Sequence, residues 1–331
     1  MFQLRYLKVQ CNMIVNLPVN IGGLRHLETL EVDAEAVVVT QDVFSLKSLL
    51  HLCLPSMTYM PGAYGIGSLT SLRSLGYVDL SQLGKLTNLQ DLHLTCSTVH
   101  SRRQISNVKR LASVLEKCTN LRSLILRGEA SSNQSISLDG LSRFNPLPTN
   151  LERFVLSPRT FKMSRLPEWI GLLSNKLSTL KIAVGQLSSG DVDILKTLSA
   201  LTALSLYLRS TPKNKEWIIF SEGFPLLKYL KFTCTALCVK FSGGAMPDVQ
   251  RLKVCFNANT MHQYRPEDTG IGYLAGIKVI SAKIGAASTD QTSRETAKSR
   301  LVHAIISNHA RLRCLEENRS NPPVINVQMV D

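Results

Sequence analysis

Aliphatic residues recur along the chain in a short pattern, L-x-x-L-x-L, of which twelve copies can be read. The copies begin, in order, at Leu4, Leu27, Leu49, Leu72, Leu89, Leu121, Leu151, Leu177, Leu201, Leu227, Val249 and Ile277. Residues 4 and 277 are 273 positions apart, so the eleven steps average about 25 residues. An internal period of this length indicates stacked structural units whose shared core runs the length of the stack.

The spacing inside each copy predicts a β-strand. In x-L-x-L-x the two apolar side chains share one face of a strand, and the x positions point the other way. Because one strand cannot bury that face alone, the copies are expected to pair as a parallel sheet, with return segments covering the core. A string of amphipathic helices would need apolar residues at i, i+3, i+4 and i+7. The prediction is an α/β leucine-rich-repeat solenoid, a horseshoe with its sheet on the concave face and irregular or helical convex segments.

Segments between and after the copies refine this prediction. The pattern L-P-x-x-I-G-x-L occurs at 17–24 and 166–173, where proline starts a turn and glycine permits close packing. Helical spacing predicts a helix at about 104–118, and the polar run 129–135 predicts a loop. An amphipathic helix over 292–313 is expected to cap the last repeat, and Pro322-Pro323 to end regular structure.

These features predict two parts: a solenoid of about twelve repeats over 1–289, and a capping helix with a tail over 290–331. Leu4 already lies in a repeat strand, so no N-terminal cap is expected. This favours the back part of a longer protein, or a partner resting on that end.

Composition narrows the class of protein. With 331 residues of which 44% are apolar, disorder is excluded, and a formal charge of +14 favours acidic partners. The longest basic cluster is only Ser101-Arg102-Arg103, which indicates a solvated basic surface and makes nucleic acid an improbable ligand. No apolar run approaches the roughly 18–20 residues of a membrane span, and no secretory signal is present. Eight cysteines without a C-x-x-C pair favour free, buried thiols and a cytoplasmic location.

Candidate chemistry is sparse, so the chain is not predicted to be an enzyme. No nucleophile has a base and an orienting group in a recognisable arrangement, and the seven histidines lack companions at zinc-ligand spacing. Cys234 and Cys238 lie four residues apart without a matching second pair. No catalytic, cofactor or metal site is therefore predicted.

The chain resembles the leucine-rich-repeat region of plant intracellular nucleotide-binding disease resistance proteins, in particular the coiled-coil class of grasses. The run at 17–32 carries the strongest likeness, and the closing helix at 301–309 is similar to how those proteins end. The resemblance implies a module that binds a pathogen effector or a host protein and regulates a nucleotide-binding switch domain on its N-terminal side. This chain has no G-x-x-x-x-G-K-[ST], and Gly65-Ile66-Gly67 leads into a repeat strand, so nucleotide binding does not carry over.

Function is then expected at the outward x positions of the strands. Early copies offer Glu31, Asp33 and, further on, His93; the middle offers Ile125 and Val155 as exposed apolar neighbours. The late copies offer a set of cationic and aromatic residues, which are Lys181, Tyr207, Tyr229, Lys231, Arg251 and Lys253. Tyrosine and arginine are favoured binding anchors, which predicts a protein-binding face. The alternative is that these residues only keep an open sheet soluble.

A second class of function stays open. Cys118-Thr119-Asn120-Leu121-Arg122-Ser123-Leu124 locally resembles the repeats of substrate-recruiting ubiquitin-ligase subunits, although no helical adaptor motif precedes Leu4. A third, nucleic-acid binding through net charge, would require affinity that falls steeply with salt.

Overall fold

The structure, a computed structural model, describes residues 3–55, 57–60, 66–76, 86, 88–96, 111–113, 115–128, 135–143, 149–285, 291–313 and 322–330. It comprises two compact units, Met1–Phe161 and Lys162–Asp331. Each unit is built around a parallel sheet whose strands come from successive copies of the repeat.

The first unit contains seven repeat strands in parallel order β1-β3-β5-β7-β8-β9-β11, and a smaller sheet, β2-β4-β6, on the return segments. The motif leucines occupy equivalent positions in neighbouring strands, with Leu52 opposite Leu75 and Leu75 opposite Leu92. All three are at most 1% exposed, so the expected core is formed. The strands are β1 (Tyr6–Gln10), β2 (Ile14–Asn16), β3 (Thr29–Asp33), β4 (Ala36–Val38), β5 (His51–Cys53), β6 (Met57–Tyr59), β7 (Ser74–Gly76), β8 (Asp91–Cys96), β9 (Ser123–Gly128), β10 (Ile136–Ser137), β11 (Arg153–Leu156) and β12 (Phe161–Lys162).

The second unit contains six parallel strands in the order β13-β14-β16-β18-β19-β20, and the pair β15-β17. Its α-helices are α1 (Ser189–Lys196), which begins with a capping box between Ser188 and Asp191, and α2 (Gln291–Arg313). The strands are β13 (Thr179–Val184), β14 (Ala203–Leu208), β15 (Ile218–Phe220), β16 (Tyr229–Thr233), β17 (Val239–Phe241), β18 (Arg251–Asn257), β19 (Val279–Gly285) and β20 (Val324–Val330).

The return segments are mostly short 3-10 helices. Both L-P-x-x-I-G-x-L segments adopt this form, at Ile21–Gly23 and Glu168–Leu173. Gly22 is required by packing, since a Cβ there would lie 2.8 Å from the backbone oxygen of Asp42 in the next return segment. The other 3-10 helices of the described residues are Gln41–Ser45, Ile66–Ser68, Asp139–Arg143, Lys213–Lys215, Ala258–Thr260, Pro266–Thr269 and Ile271–Tyr273.

Most of the predicted elements are confirmed. Each of the twelve copies contributes a strand, and the helix expected over 292–313 is present as α2, which buries Ala297, Leu301, Ala304 and Ile305. Its role as a cap of the last repeat stays a prediction. Of the helix expected at 104–118, residues 111–113 and 115 are helical, and 104–110 and 114 lie outside the described residues. Of the loop expected at 129–135, residues 129–134 also lie outside them. The division of the chain after residue 289 stays a prediction.

One expectation is wrong: regular structure does not end at Pro322-Pro323. Strand β20 follows at once and pairs with β19, beginning with the backbone N–H of Val324, which donates to the Lys278 oxygen at 2.9 Å. Proline cannot donate to a strand ladder, but at the start of a strand it withholds no bond from the residues that follow. The tail is therefore a thirteenth strand. None of the described helices combines the length and the apolarity needed to cross a bilayer.

Candidate protein-binding surface

Alternate side chains of every repeat strand point away from the core and form what we call the open face, the face predicted to be concave. In β16, Leu230 and Phe232 are at most 1% exposed, whereas Lys231 between them is half-buried on the open face. Parallel pairing places equivalent open-face residues side by side in rows. One row of the second unit contains Lys181, Ser205, Lys231, Lys253, Ser281 and Asn326.

The open face of the second unit is basic. Its strands place five cationic side chains there and no carboxylate; the cations are Lys181, Lys231, Arg251, Lys253 and Lys283. Within the residues that the structure describes, no carboxylate pairs with Lys231, Arg251 or Lys253. The six predicted late residues lie together here, and we call them the basic-aromatic patch: Lys181, Tyr207, Tyr229, Lys231, Arg251 and Lys253.

Tyr207 lies between two lysines of this patch. The ammonium of Lys231 is 4.7 Å from the centre of its ring and that of Lys181 is 5.8 Å away, both within cation-π range. Burial raises the pKa of Tyr207 and, in the same way, that of Tyr229. Both phenols therefore stay protonated at neutral pH and can donate hydrogen bonds to an acceptor on a ligand.

Thr233 lies in the same open-face row as Tyr207 and was not among the predicted site residues. It lies opposite Tyr207 on one side and Cys255 on the other. Its hydroxyl oxygen is inaccessible to solvent and has no hydrogen-bond partner among the residues that the structure describes. A buried hydroxyl without a partner costs free energy on folding, so a side chain of the same shape without the hydroxyl would make the folded protein more stable.

The open face of the first unit is electrically balanced. The predicted carboxylate Glu31 accepts a hydrogen bond from the Lys8 ammonium at 3.0 Å and another from the Tyr6 hydroxyl at 2.9 Å. The Lys8 ammonium, followed by the Tyr6 hydroxyl, holds the pKa of Glu31 below its ordinary value. Asp33 accepts from the Gln10 side chain at 3.2 Å. Glu31 and Asp33 are therefore already engaged with the neighbouring strand.

The middle of the face departs from the prediction at both apolar residues. Ile125 and Val155 are neighbours in register, as expected, but Ile125 is only 8% exposed and Val155 is half-buried. The expectation that both are exposed is therefore wrong; Ile125 has His93 and Val155 on either side of it on the same face. Burial lowers the pKa of His93, which favours its neutral form.

The alternating pattern missed the open-face residues of β20. Asn326 and Gln328 extend the rows of Ser281 and Lys283 by one strand. Their segment lacks an L-x-x-L-x-L copy, yet the alternation of Ile325, Val327 and Met329 was a usable strand signal.

The cysteine pair belongs to the core and not to the open face. Cys234 and Cys238 are at most 5% exposed, and the Cys238 thiol donates to the Cys234 sulfur across 3.7 Å. That hydrogen bond lowers the pKa of Cys234 to about 7. Among the described residues, no group of three His, Cys, Asp or Glu side chains could hold a metal ion.

Comparisons with known proteins agree with the geometry. Residues 1–313 match the family model of a leucine-rich repeat region. Disease resistance protein RGA5 of rice (Oryza sativa subsp. japonica) is 42% identical over 310 residues, 90% of this chain and 27% of that protein. Putative disease resistance RPP13-like protein 2 of Arabidopsis thaliana is 28% identical over 257 residues, 76% of this chain and 28% of that protein. The chain thus spans little more than a quarter of these relatives' length.

Among solved structures, the crystal structure of an internalin (InlF) from Listeria monocytogenes gives a TM-score of 0.50. The match covers 88% of this chain and 84% of the internalin, at 17% identity. At that identity the likeness bears on the fold alone, and it agrees with the predicted leucine-rich-repeat architecture.

Proposed function

Because the chain belongs to the leucine-rich-repeat region family and its relatives are plant disease resistance proteins, we propose that it is the recognition module of a plant immune receptor. The module performs no catalysis. It binds a partner protein, either a pathogen effector or a host protein, on its open face. The observation that supports this best is the basic-aromatic patch, where cations and half-buried phenols lie side by side on described strands that present no carboxylate of their own on the open face.

The composition of the patch favours an acidic partner surface. Arg251 is exposed and offers a planar guanidinium to a carboxylate, while Lys231 and Lys253 supply point charges in the next row. Tyr207 and Tyr229 add contact area at a low cost in side-chain entropy. A face of one sign speeds capture of an oppositely charged protein, and binding should weaken as salt rises.

A regulatory role follows from the resemblance to nucleotide-binding receptors. In this proposal the region also holds a nucleotide-binding switch domain on its N-terminal side in the resting state, and partner binding releases it. A cytoplasmic location belongs to the same proposal, because the described cysteines are free thiols of the kind found in reducing compartments.

The test is a triple charge reversal, Lys231→Glu, Arg251→Glu and Lys253→Glu, in the full receptor. The expected result is loss of binding to a partner purified from wild-type complexes, or a change in the receptor's resting immune output. Binding is measured with purified proteins at two salt concentrations, so that a direct electrostatic contact is separated from indirect capture.

A matched control is available in the same unit. Arg165, Lys213 and Lys215 are exposed and lie outside the open face, and reversing them changes the net charge by the same amount. The control variant should bind and signal as wild type does. If the patch variant also keeps both wild-type binding and wild-type resting output, the patch is not the recognition surface.

A further inference from the structure

Strand β20 lies at one edge of the second unit's sheet as far as the structure describes it. Among the described strands it pairs only with β19. The backbone N–H of Val324 donates to the backbone oxygen of Lys278, the residue directly before β19. Along a parallel strand, residues whose backbone N–H and C=O groups face one neighbouring strand alternate with residues whose groups face the other side. The backbone groups of Ile325, Val327 and Met329 therefore face the outer edge.

The core side of β20 is incompletely covered. The core-facing residues of β19 are Ile280, Ala282 and Ile284, which are at most 1% exposed. The corresponding residues of β20 (Ile325, Val327 and Met329) are all only half-buried. A further strand beside β20 would cover them, because side chains on the same face of neighbouring strands pack against each other.

Within β20 itself the features that usually discourage strand addition are absent, and the two prolines at 322 and 323 lie before the strand. Natural edge strands are commonly protected by charged side chains, proline or a bulge. The seven residues of β20 read VINVQMV and contain no charge and no proline. Such an edge is suited to pairing with another extended chain.

The charge beside this edge indicates what kind of chain fits. A cavity of about 660 Å³ is lined by residues of β18, β19, α2 and β20, among them Lys253, Lys283 and Lys298. None of its lining residues is acidic, and Asn326 and Gln328 add neutral hydrogen-bonding groups. Lys298 also contacts Glu295 at 3.8 Å, in an exposed ion pair that contributes little.

We propose that β20 is a docking strand to which an extended, acidic segment of a partner protein adds as a further parallel or antiparallel strand. Its apolar residues would cover Ile325, Val327 and Met329, and its carboxylates would lie on the open face within reach of Lys283. Main-chain hydrogen bonds supply affinity and the lysines supply selectivity. The inference goes beyond the proposed function of the basic-aromatic patch and does not depend on it.

The probe is a capped seven-residue peptide of alternating valine and glutamate, followed by fluorescence anisotropy with the full chain. The acidic peptide should bind, and its valine-lysine counterpart should not. Absence of binding by the acidic peptide, or equal binding of both, would overturn the proposal.

Backbone methylation of the peptide tests the strand geometry without altering the protein. In an added strand, valine and glutamate point to opposite faces, and their N–H groups point to opposite edges. In a parallel strand the glutamate N–H groups face β20, and in an antiparallel strand the valine N–H groups do. One of the two N-methylated peptides should therefore lose affinity by about tenfold or more, while the other retains it. Equal behaviour of the two contradicts strand addition.

Protein variants complete the test. Val327→Pro removes an outward N–H that β19 does not use, and Val327→Ala keeps it; only the proline variant should lose the peptide. Lys283→Glu should lower the affinity for the acidic peptide by about tenfold and allow the lysine peptide to bind. The control, Lys215→Glu in an exposed 3-10 helix, should change the affinity for neither peptide.

Two further measurements distinguish this proposal from binding at the basic-aromatic patch and from self-association through β20. A Lys231→Glu, Arg251→Glu variant should retain the acidic peptide, so that failure of the basic-aromatic patch and failure of the β20 edge give different results. Light scattering measures self-association. If the wild-type protein self-associates and Val327→Pro abolishes this, a second copy occupies the β20 edge and the acidic-segment proposal is wrong.

Discussion

The two units use the same core arrangement and differ on the open face. On its described strands the first unit carries three cations and three carboxylates there; these are Lys8, Arg127 and Arg153, and Glu31, Asp33 and Asp91. The described strands of the second carry five cations and no carboxylate. Since aliphatic residues at the motif positions form the core of both, the fold places no demand on the sign of the outward residues. The core therefore does not require this difference in charge between the two open faces.

The largest expected effect tests the likeness of the two cores. Leu92 and Leu204 are both 0% exposed, one in each unit. Replacing either with alanine should lower the free energy of unfolding by about 2–5 kcal/mol, because a cavity is left in a close-packed core. Urea unfolding, followed by hydrogen exchange in each unit, measures both. A cost below about 1 kcal/mol at either position would contradict the packing described for that unit.

The next contrast concerns polar groups on the two open faces. Ser74 donates to Asp91 at 3.0 Å in the first unit, whereas the Thr233 hydroxyl in the second has no partner. Ser74→Ala should destabilise the protein by about 0.5–1.5 kcal/mol, and Thr233→Val should stabilise it by about 1 kcal/mol. The opposite signs are the prediction, measured by chemical denaturation. A loss of stability in Thr233→Val would indicate that the hydroxyl is paired in solution.

A smaller effect measures the contact inside the basic-aromatic patch. The Lys231 ammonium over the Tyr207 ring should give a coupling energy of about 0.5–1 kcal/mol in a double-mutant cycle with Lys231→Met and Tyr207→Leu. Tyr207→Phe keeps the ring and should preserve the coupling. If Tyr207→Phe removes it as fully as Tyr207→Leu, the hydroxyl and not the ring is the partner.

The repeat strands and their register were predictable, because a fixed alternation of leucines determines both which face is buried and which residues become neighbours. The same register places Lys8 opposite Glu31, since both occupy the middle outward position of adjacent copies, although register alone does not decide whether their side chains meet. Two features were not predicted. Strand β20 lies outside the leucine period, and the burial of Ile125 depends on the size of its two neighbours rather than on its own position in the motif.

The candidate site was predictable in its residues and not in its energetics. The late cations and tyrosines were assigned to one face from their spacing, and they lie there together. What spacing could not provide is which charges are already engaged. In the sequence, Glu31 appeared available to bind a partner. Whether side chains on adjacent strands meet depends on their rotamers. Here the Lys8 ammonium and the Tyr6 hydroxyl both donate hydrogen bonds to the Glu31 carboxylate.

The smallest expected effect on stability comes from the contacts of Glu31, a carboxylate of the kind that the open face of the second unit lacks on its described strands. The Lys8 ammonium contributes most to holding the pKa of Glu31 below its ordinary value of 4.5, and the Tyr6 hydroxyl contributes next. A carboxyl whose pKa is lowered by folding adds stability above its unfolded pKa and loses it as pH falls through the folded value. Because the group is exposed, the effect on unfolding is slight, and NMR titration of Glu31 is the suitable measurement. Lys8→Met should raise the pKa toward 4.5, and Tyr6→Phe should raise it less. An unchanged pKa in Lys8→Met would mean that the Lys8 ammonium does not pair with this carboxylate, which would contradict the contact described between them.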